Sequence, residues 1–411
     1  MRLLLPAIAL LAVGCPDPKP PVPTTCEADA AWISSPSMPS EVPEAESFCD
    51  FYQFSWQWFL AQASPSEDGS PVFMQNRVYQ PNGGNNQCSQ PAITGVLGAA
   101  SQLIPRSTKP SNFEEAQADG NALYDQNGNV LFYNAFYSQE LCESTSKGFA
   151  PGTLEAKISW MVLKEGTHHT YYTMNAEVPG QEGEVTLGLV GLHLAIWTPN
   201  HPEMIWATWE HTTNAPLCNG TSATDGWSLA SDDAALCLSN GSGASGPPSP
   251  ACESYKFNTP NPHSGEVPPT GTPNNVCREY AYGNQSGESI NGNDNAANLA
   301  AITQLNEALV GDSGLLTQLP SDNPLSVWAN YEMIGAIWTK GGVDSGKSPV
   351  TTAAGPGDPS SLQRGSLELA NMTLETFQQG DSSYIPNCFG CHNYVSTTPL
   401  TVSHIQSRLL D

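Results

Sequence analysis

Two cysteines and one histidine near the carboxyl end have the spacing that attaches a c-type haem to a protein. Cys388, Phe389, Gly390, Cys391 and His392 match the pattern CxxCH. Two thiols three residues apart on one helical turn can add to the two vinyl groups of one porphyrin, and the adjacent histidine can then bind the iron. A zinc site would need a second ligand pair, and a redox motif would need a thioredoxin-like βαβ setting; the sequence has neither. The pattern therefore predicts one covalently attached haem c, with Cys388 and Cys391 in thioether bonds and His392 as the proximal iron ligand.

The second axial position of the iron has several candidate ligands. Only 19 residues follow His392, too few for a separate helical cytochrome domain, so the haem must pack on the upstream sheet or helices. His404 is within reach of a short local loop, His193 and His211 lie on strand-like runs, and Met372 lies on a predicted helix. An empty sixth position is a further alternative.

The axial ligands decide between two classes of function. An iron with both positions filled transfers single electrons, whereas an open position admits small ligands and fits an oxidase, a peroxidase or a gas sensor. No general base, metal cluster or paired carboxylate stands out in the sequence beside the haem segment. The sequence therefore favours an electron carrier over a haem enzyme. A third alternative is a large ligand-binding or partner-binding domain to which the haem is an accessory.

The amino end has the features of an exported protein. An apolar run at residues 3–13 is too short to span a membrane and ends at Gly14 and Cys15, as in a secretory signal. A cysteine at this point resembles a bacterial lipobox, so we expect residues 1–14 to be removed and Cys15 to be acylated. The alternative is an ordinary exported protein with a stray cysteine. Residues 15–45 begin with a proline-rich stretch and are expected to tether the protein to an envelope membrane, in the periplasm or at the cell surface.

The cysteine count agrees with export. Of the 11 cysteines, one is assigned to lipid and two to haem, which leaves eight. An even remainder in an exported protein suggests four disulfides, each worth roughly 2 to 4 kcal/mol. Connectivity does not follow from sequence, but neighbouring cysteines, Cys218 with Cys237 and Cys252 with Cys277, are candidate pairs. The remaining four are Cys26, Cys49, Cys88 and Cys142.

The composition limits the partners. The chain has 14 Lys and Arg against 40 Asp and Glu, a net charge of −26, which repels nucleic-acid phosphates and anionic lipid head groups. Nucleic acid is therefore excluded as a partner. An acidic surface suits a basic redox protein, although solubility alone also accounts for such acidity.

Alternating apolar residues predict an antiparallel sheet with flanking helices, an α+β fold. The predicted strands are residues 130–137, 154–163, 169–178, 185–197, 204–211 and 326–339, and the predicted helices are residues 46–63, 294–310 and 366–379. Residues 216–292 are rich in Gly, Pro, Ser and Asn, and are interpreted as an irregular insertion held by disulfides. The main domain is assigned to residues 46–365, and the haem-binding segment packed on it to residues 366–411.

A glycine-rich stretch after the last predicted strand imitates a phosphate-binding loop. Residues 341–348 match GxxxxGK[ST], but that chemistry requires a helix starting at the lysine. Pro349, Gly355 and Pro356 prevent such a helix. No nucleotide partner is therefore expected.

Several sequence blocks together resemble a family of exported bacterial monohaem c-type cytochromes. They are SWQWFL at 55–60, AKISWMVL at 156–163, GLVGLHL at 188–194, IWATWEHTTNAP at 205–216, and LANMTLETF at 369–377 ahead of CFGCH. The resemblance covers most of the chain outside the insertion, and it implies export, one covalent haem and an iron ligand at His392. A carboxyl-terminal CxxCH after an antiparallel sheet is also similar in topology to β-sheet monohaem cytochromes that oxidise hydroxylamine or bind nitric oxide.

Overall fold

One antiparallel sheet organises the part of the chain that the computed structural model describes. The described residues are 25–80, 87–91, 104–105, 121–144, 148–166, 170–178, 181–221, 226–239, 255–260, 267–284, 292–343, 362–379, 387–390, 392 and 402–403. Within them the strands are β1 (Arg77–Gln80), β2 (Gln87–Pro91), β3 (Ile104–Pro105), β4 (Phe132–Tyr137), β5 (Leu154–Val162), β6 (Thr173–Glu177), β7 (Glu184–Ile196), β8 (Ile205–His211), β9 (Tyr331–Thr339) and β10 (Gln363–Gly365). The order across the sheet is β10-β9-β8-β7-β5-β4-β1-β2, with β3 beside β4 and β6 beside β7. The predicted α+β class with an antiparallel core is confirmed.

Five helices accompany the sheet within the described residues. They are α1 (Ala31–Ser34), α2 (Phe48–Ala63), α3 (Gln139–Cys142), α4 (Asp232–Ser239) and α5 (Asn295–Val310). Apolar side chains of α2 and α5 pack in one cluster with alternate residues of β4, β5, β7, β8 and β9. We call this side of the sheet the helix face and the opposite side the loop face. No helix in the described ranges is long and apolar enough to cross a membrane.

Helix α2 is the buried helix that its aromatic content predicts. A capping box starts it: Ser47 Oγ accepts from the Asp50 amide at 3.2 Å, and Asp50 Oδ2 accepts from the Ser47 amide at 2.8 Å. Phe51 stacks on Trp338 of β9 with ring centroids 4.0 Å apart, and Phe59 stacks on Trp209 of β8 at 4.7 Å. Both phenylalanines are completely shielded from solvent, so α2 anchors the helix face.

The loop face is covered by chain that makes little regular structure. Residues 366–379 form turns and one short 3-10 turn at Thr376–Gln378, so the helix predicted there is wrong. The cause is local side-chain bonding: Asn371 Oδ1 accepts from the amide and the hydroxyl of Thr373, at 2.9 and 2.6 Å. Such bonds offer the backbone an alternative to helical hydrogen bonds. The predicted strand at 326–339 likewise begins only at Tyr331, after a 3-10 turn at Ser326–Asn330.

The disulfides differ from the candidate pairs. Cys218 is bonded to Cys277, with their Cα atoms 5.0 Å apart, so the pairs Cys218 with Cys237 and Cys252 with Cys277 are wrong. Two chain segments run side by side here, because the Cys218 amide donates to Arg278 O and the Arg278 amide to Pro216 O, each at 2.8 Å. This pairing sets the bridge. Cys26 is bonded to Cys49, and Cys142 and Cys237 are also in disulfides.

Removing the Cys218–Cys277 bridge should lower the stability of the protein. It spans 59 residues of sequence, and loss of a bridge that closes such a loop typically costs about 2 to 5 kcal/mol. We expect Cys218→Ala plus Cys277→Ala to lower the free energy of unfolding by that amount in denaturant titration. Peptide mapping of the unreduced wild type should show Cys218 joined to Cys277; a peptide joining Cys218 to Cys237 would contradict the structure.

Candidate haem-attachment site

The described part of the CxxCH motif forms a helical turn. A 3-10 turn covers Cys388–Gly390, and the amide of His392 donates to Cys388 O at 2.9 Å. The first cysteine and the histidine therefore lie on one turn, as covalent attachment to a single porphyrin requires. Cys388 is half-buried, and Cys391 lies outside the described residues.

Asn387 fixes the start of this turn to the sheet. Its Oδ1 accepts from the Phe389 amide at 3.0 Å, which caps the turn. Its Nδ2 donates to Leu367 O and to Gln363 Oε1 of β10, both at 2.8 Å. Phe389 is completely buried in a cluster on the loop face that includes Trp206 of β8. The turn is therefore held by polar contacts on one side and by apolar packing on the other.

His392 is held in a defined orientation. Its Nδ1 lies 2.7 Å from Val402 O, and its ring centroid lies 4.0 Å from that of Trp206. A carbonyl oxygen only accepts hydrogen bonds, so we assign the proton to Nδ1, which places the lone pair of the neutral ring on Nε2. Second-sphere bonds of this kind fix the tautomer of metal-binding histidines. The donor set at this site thus fits a haem iron with His392 as an axial ligand.

His193 lies on the same sheet face as this site. In the register of the sheet, Ala195 of β7 is opposite Trp206 of β8, and His193 lies two residues before Ala195. His193 and Trp206 are therefore diagonal neighbours, about 7 to 8 Å apart at their Cα atoms. However, His193 Nε2 is 2.7 Å from Glu375 Oε1, so this nitrogen is already engaged by a carboxylate.

His211 is not brought together with His392. On β8 it lies five positions after Trp206, and side chains an odd number of positions apart on a strand point to opposite faces. The His211 side chain therefore lies on the helix face, where it packs on Tyr331. Nδ1 is 2.9 Å from Thr213 Oγ1 and Nε2 is 3.0 Å from Thr170 O. Burial lowers the pKa of His211 to about 4, against a smaller opposing effect of the Thr170 carbonyl.

Met372 packs in a different apolar cluster from Phe389 and Trp206. It is completely buried in a cluster on the loop face that does not contain Phe389 or Trp206. Its amide donates to Glu210 Oε1 at 2.8 Å. The remaining candidate ligand, His404, and the predicted lipid site, Cys15, lie outside the described residues.

A buried ion pair fixes the loop that leads to the site. Arg278 Nη2 is 2.7 Å from Glu210 Oε1, and Arg278 Nη1 donates to Ala370 O at 2.8 Å. Both charged side chains are almost fully shielded from solvent. Sequence reasoning missed this pair, and it also missed Trp206, Asn387 and Val402. Glu210 and Trp206 lie in the block at 205–216, but the spacing of that block assigns no role to either side chain. The contacts of Glu210 with Arg278 and of Trp206 with His392 join segments far apart in the chain.

The first amides of the glycine-rich stretch donate hydrogen bonds to glutamate side chains of the protein. The amide of Gly341 donates to Glu46 Oε2 at 3.2 Å and that of Val343 to Glu203 Oε2 at 3.3 Å. Residues 344–350 lie outside the described residues.

Comparison with known proteins identifies no relative: no family model, curated protein or solved structure matches the chain. Among the described residues, no group of three or more His, Cys, Asp or Glu side chains could hold a metal ion.

His211 should remain neutral at physiological pH. Its pKa of about 4 in the folded protein is below the ordinary value near 6.5. The neutral ring therefore contributes stability that is fully present above pH 6.5 and is lost as the pH falls from about 6.5 to about 4, a change on the order of 3 kcal/mol. NMR titration of the ring protons should give a midpoint near 4, and His211→Gln should weaken the pH dependence of unfolding in this window. A midpoint near 6.5 would contradict the buried placement.

Proposed function

We propose that this protein is an exported c-type cytochrome that carries one covalent haem c and exchanges single electrons with a partner protein. The observation that carries the proposal is the contact between His392 Nδ1 and Val402 O, next to the described turn at Cys388–Gly390. It prepares Nε2 for iron, because the bonded nitrogen keeps the proton. A dithiol motif has no need of a histidine oriented in this way, and a zinc site would need a second ligand pair.

Each residue of the turn has a defined task in this proposal. Cys388 and Cys391 would hold the cofactor through thioether bonds, and His392 would bind the iron. When bound, the haem supplies an iron centre that alternates between the ferric and the ferrous state. Trp206 packs on the half-buried histidine ring, and Phe389 is completely buried. These contacts would hold the iron ligand in one orientation in both oxidation states, which favours fast electron exchange.

The proposal includes the location of the protein. The signal-like residues 1–14 and the lipobox-like cysteine, Cys15, support export and attachment to an envelope membrane through lipid. The net charge of −26 supports a basic redox partner. The haem would then face other exported redox proteins.

A second candidate function has a specific observation in its favour. His193 is engaged by Glu375, His211 lies on the other sheet face, and Met372 packs in a different cluster. Each of these three side chains is engaged elsewhere among the described residues, and His404 lies outside them. An iron with an open sixth position, as in a haem oxidase, peroxidase or gas sensor, is therefore the alternative to an electron carrier.

Covalent attachment is tested by haem staining of a denaturing gel. Wild-type protein, expressed with the bacterial haem-attachment machinery, should give a peroxidase-active band, because thioether-bound haem survives denaturation. Cys388→Ala plus Cys391→Ala should abolish the band. The control Cys218→Ala plus Cys277→Ala removes as many cysteines away from the motif and should keep it. A wild-type band without stain would contradict the proposal.

Carbon monoxide separates the two candidate functions. In the electron carrier, two protein ligands fill the axial positions, so the visible spectrum of the ferrous protein should barely change with carbon monoxide. His404→Ala or His193→Ala should then open the site, whereas the control His211→Gln, on the helix face, should not. Rapid binding with a strong Soret shift in the wild type would contradict the electron-carrier proposal and support the oxidase, peroxidase or sensor class.

A further inference from the structure

The carbonyl that holds His392 is itself held by a side chain from the sheet. Ser403, the residue after Val402, is completely buried, and its hydroxyl donates to Glu155 Oε2 at 2.8 Å. Glu155 lies on β5, where it is paired with Ala195 of β7. The hydroxyl bond therefore connects the peptide group between Val402 and Ser403 to the first residues of β5, a strand in the middle of the strand order.

The same peptide group is held on its other side by packing. The Val402 side chain is buried in the loop-face cluster that contains Trp206 and Phe389. Trp206, in turn, is opposite Ala195 across the β7–β8 pair, so Glu155, Ala195 and Trp206 lie on one row across the sheet. Val402 O is thus held by the packing of the Val402 side chain in this cluster and by the bond from Ser403 to Glu155 of this row.

We propose that Glu155 is a positioning residue for the proximal ligand: acting through the Ser403 hydroxyl, it holds Val402 O on His392 Nδ1 and so lowers the reduction potential of the haem. This inference rests on the proposed function. A carbonyl held firmly at Nδ1 increases the electron density of the imidazole, and a more basic axial ligand stabilises ferric over ferrous iron. The carboxylate of Glu155 accepts the Ser403 hydrogen bond that holds this carbonyl in place.

The geometry also explains why a serine is used at position 403. The serine hydroxyl can donate to the Glu155 carboxylate, and the short serine side chain keeps this donor close to the carbonyl of Val402. A hydrogen bond to an ionised acceptor is stronger than one between neutral groups. Loss of either partner would leave the peptide held by Val402 packing alone.

The test is a double-mutant cycle read by the midpoint reduction potential. Haem-loaded wild type, Glu155→Gln, Ser403→Ala and the double variant would be titrated spectroscopically. Each single variant should favour the ferrous form by about tenfold, equal to about 59 mV for a one-electron couple. The effect of Glu155→Gln should disappear in the Ser403→Ala background, because Glu155 acts through that hydroxyl.

A matched control removes the same charge elsewhere. Glu184 is exposed at the opposite end of β7 from Ala195. Because solvent screens distant charges, Glu184→Gln should change the equilibrium ratio of ferrous to ferric protein by less than about twofold. Ser403→Thr, which keeps the hydroxyl, should restore most of the wild-type potential.

The outcomes distinguish this inference from the proposed function. Unchanged potentials in both single variants would overturn it, as would an equal effect of Glu155→Gln with and without the Ser403 hydroxyl. In either case the stained haem band would remain, and only the role of Glu155 would be refuted. A wild-type protein without covalent haem would overturn both proposals.

Discussion

The loop face of the sheet is closed by chain that is neither helix nor strand, so its buried backbone groups must be bonded by side chains. Leaving such groups unbonded would cost about 1 to 3 kcal/mol each. Arg278 meets this requirement at Ala370 O and Asn387 at Leu367 O, and Asn371 joins the same chain to Trp209 O of β8. These contacts hold residues 366–379 and the start of the CxxCH turn, residues 387–390, against the sheet.

The site depends on the register of the sheet as much as on its own motif. The row that contains Glu155, Ala195 and Trp206 presents an aromatic platform to the His392 ring and a carboxylate to Ser403. A shift of one residue in β8 would turn Trp206 to the helix face and remove the platform. The helix face opposes such a shift, because Trp209 of the same strand is stacked on Phe59 of α2. The buried helix therefore also fixes the haem segment, although it lies on the other side of the sheet.

The elements that the sequence predicts well are those with strong periodicity. The aromatic run of α2 and the alternating run of β7 were both placed within two residues of their observed bounds. The prediction of a helix at 366–379 is wrong although the apolar residues there do have helical spacing. Asn371 and Thr373 form a local hydrogen bond that competes with the helix, and apolar spacing does not reveal such a bond.

The Cys218–Cys277 bridge depends on a contact between distant segments, which composition does not reveal. The haem-attachment pattern can be read from the sequence because its spacing is local, and its roles for Cys388, Cys391 and His392 stay predictions. Val402, Trp206 and Glu155 belong to other segments, and their place beside the motif follows only from the fold.

A covalent bond between one haem and both Cys388 and Cys391 is detected most directly by the intact mass of the mature protein. Protein purified from the cell envelope would be measured under denaturing conditions, with alkylation after reduction. Its mass should exceed that of the lipidated and alkylated polypeptide by one haem, with Cys388 and Cys391 inaccessible to the alkylating reagent. A mass without haem, with both cysteines alkylated after reduction, would contradict covalent attachment.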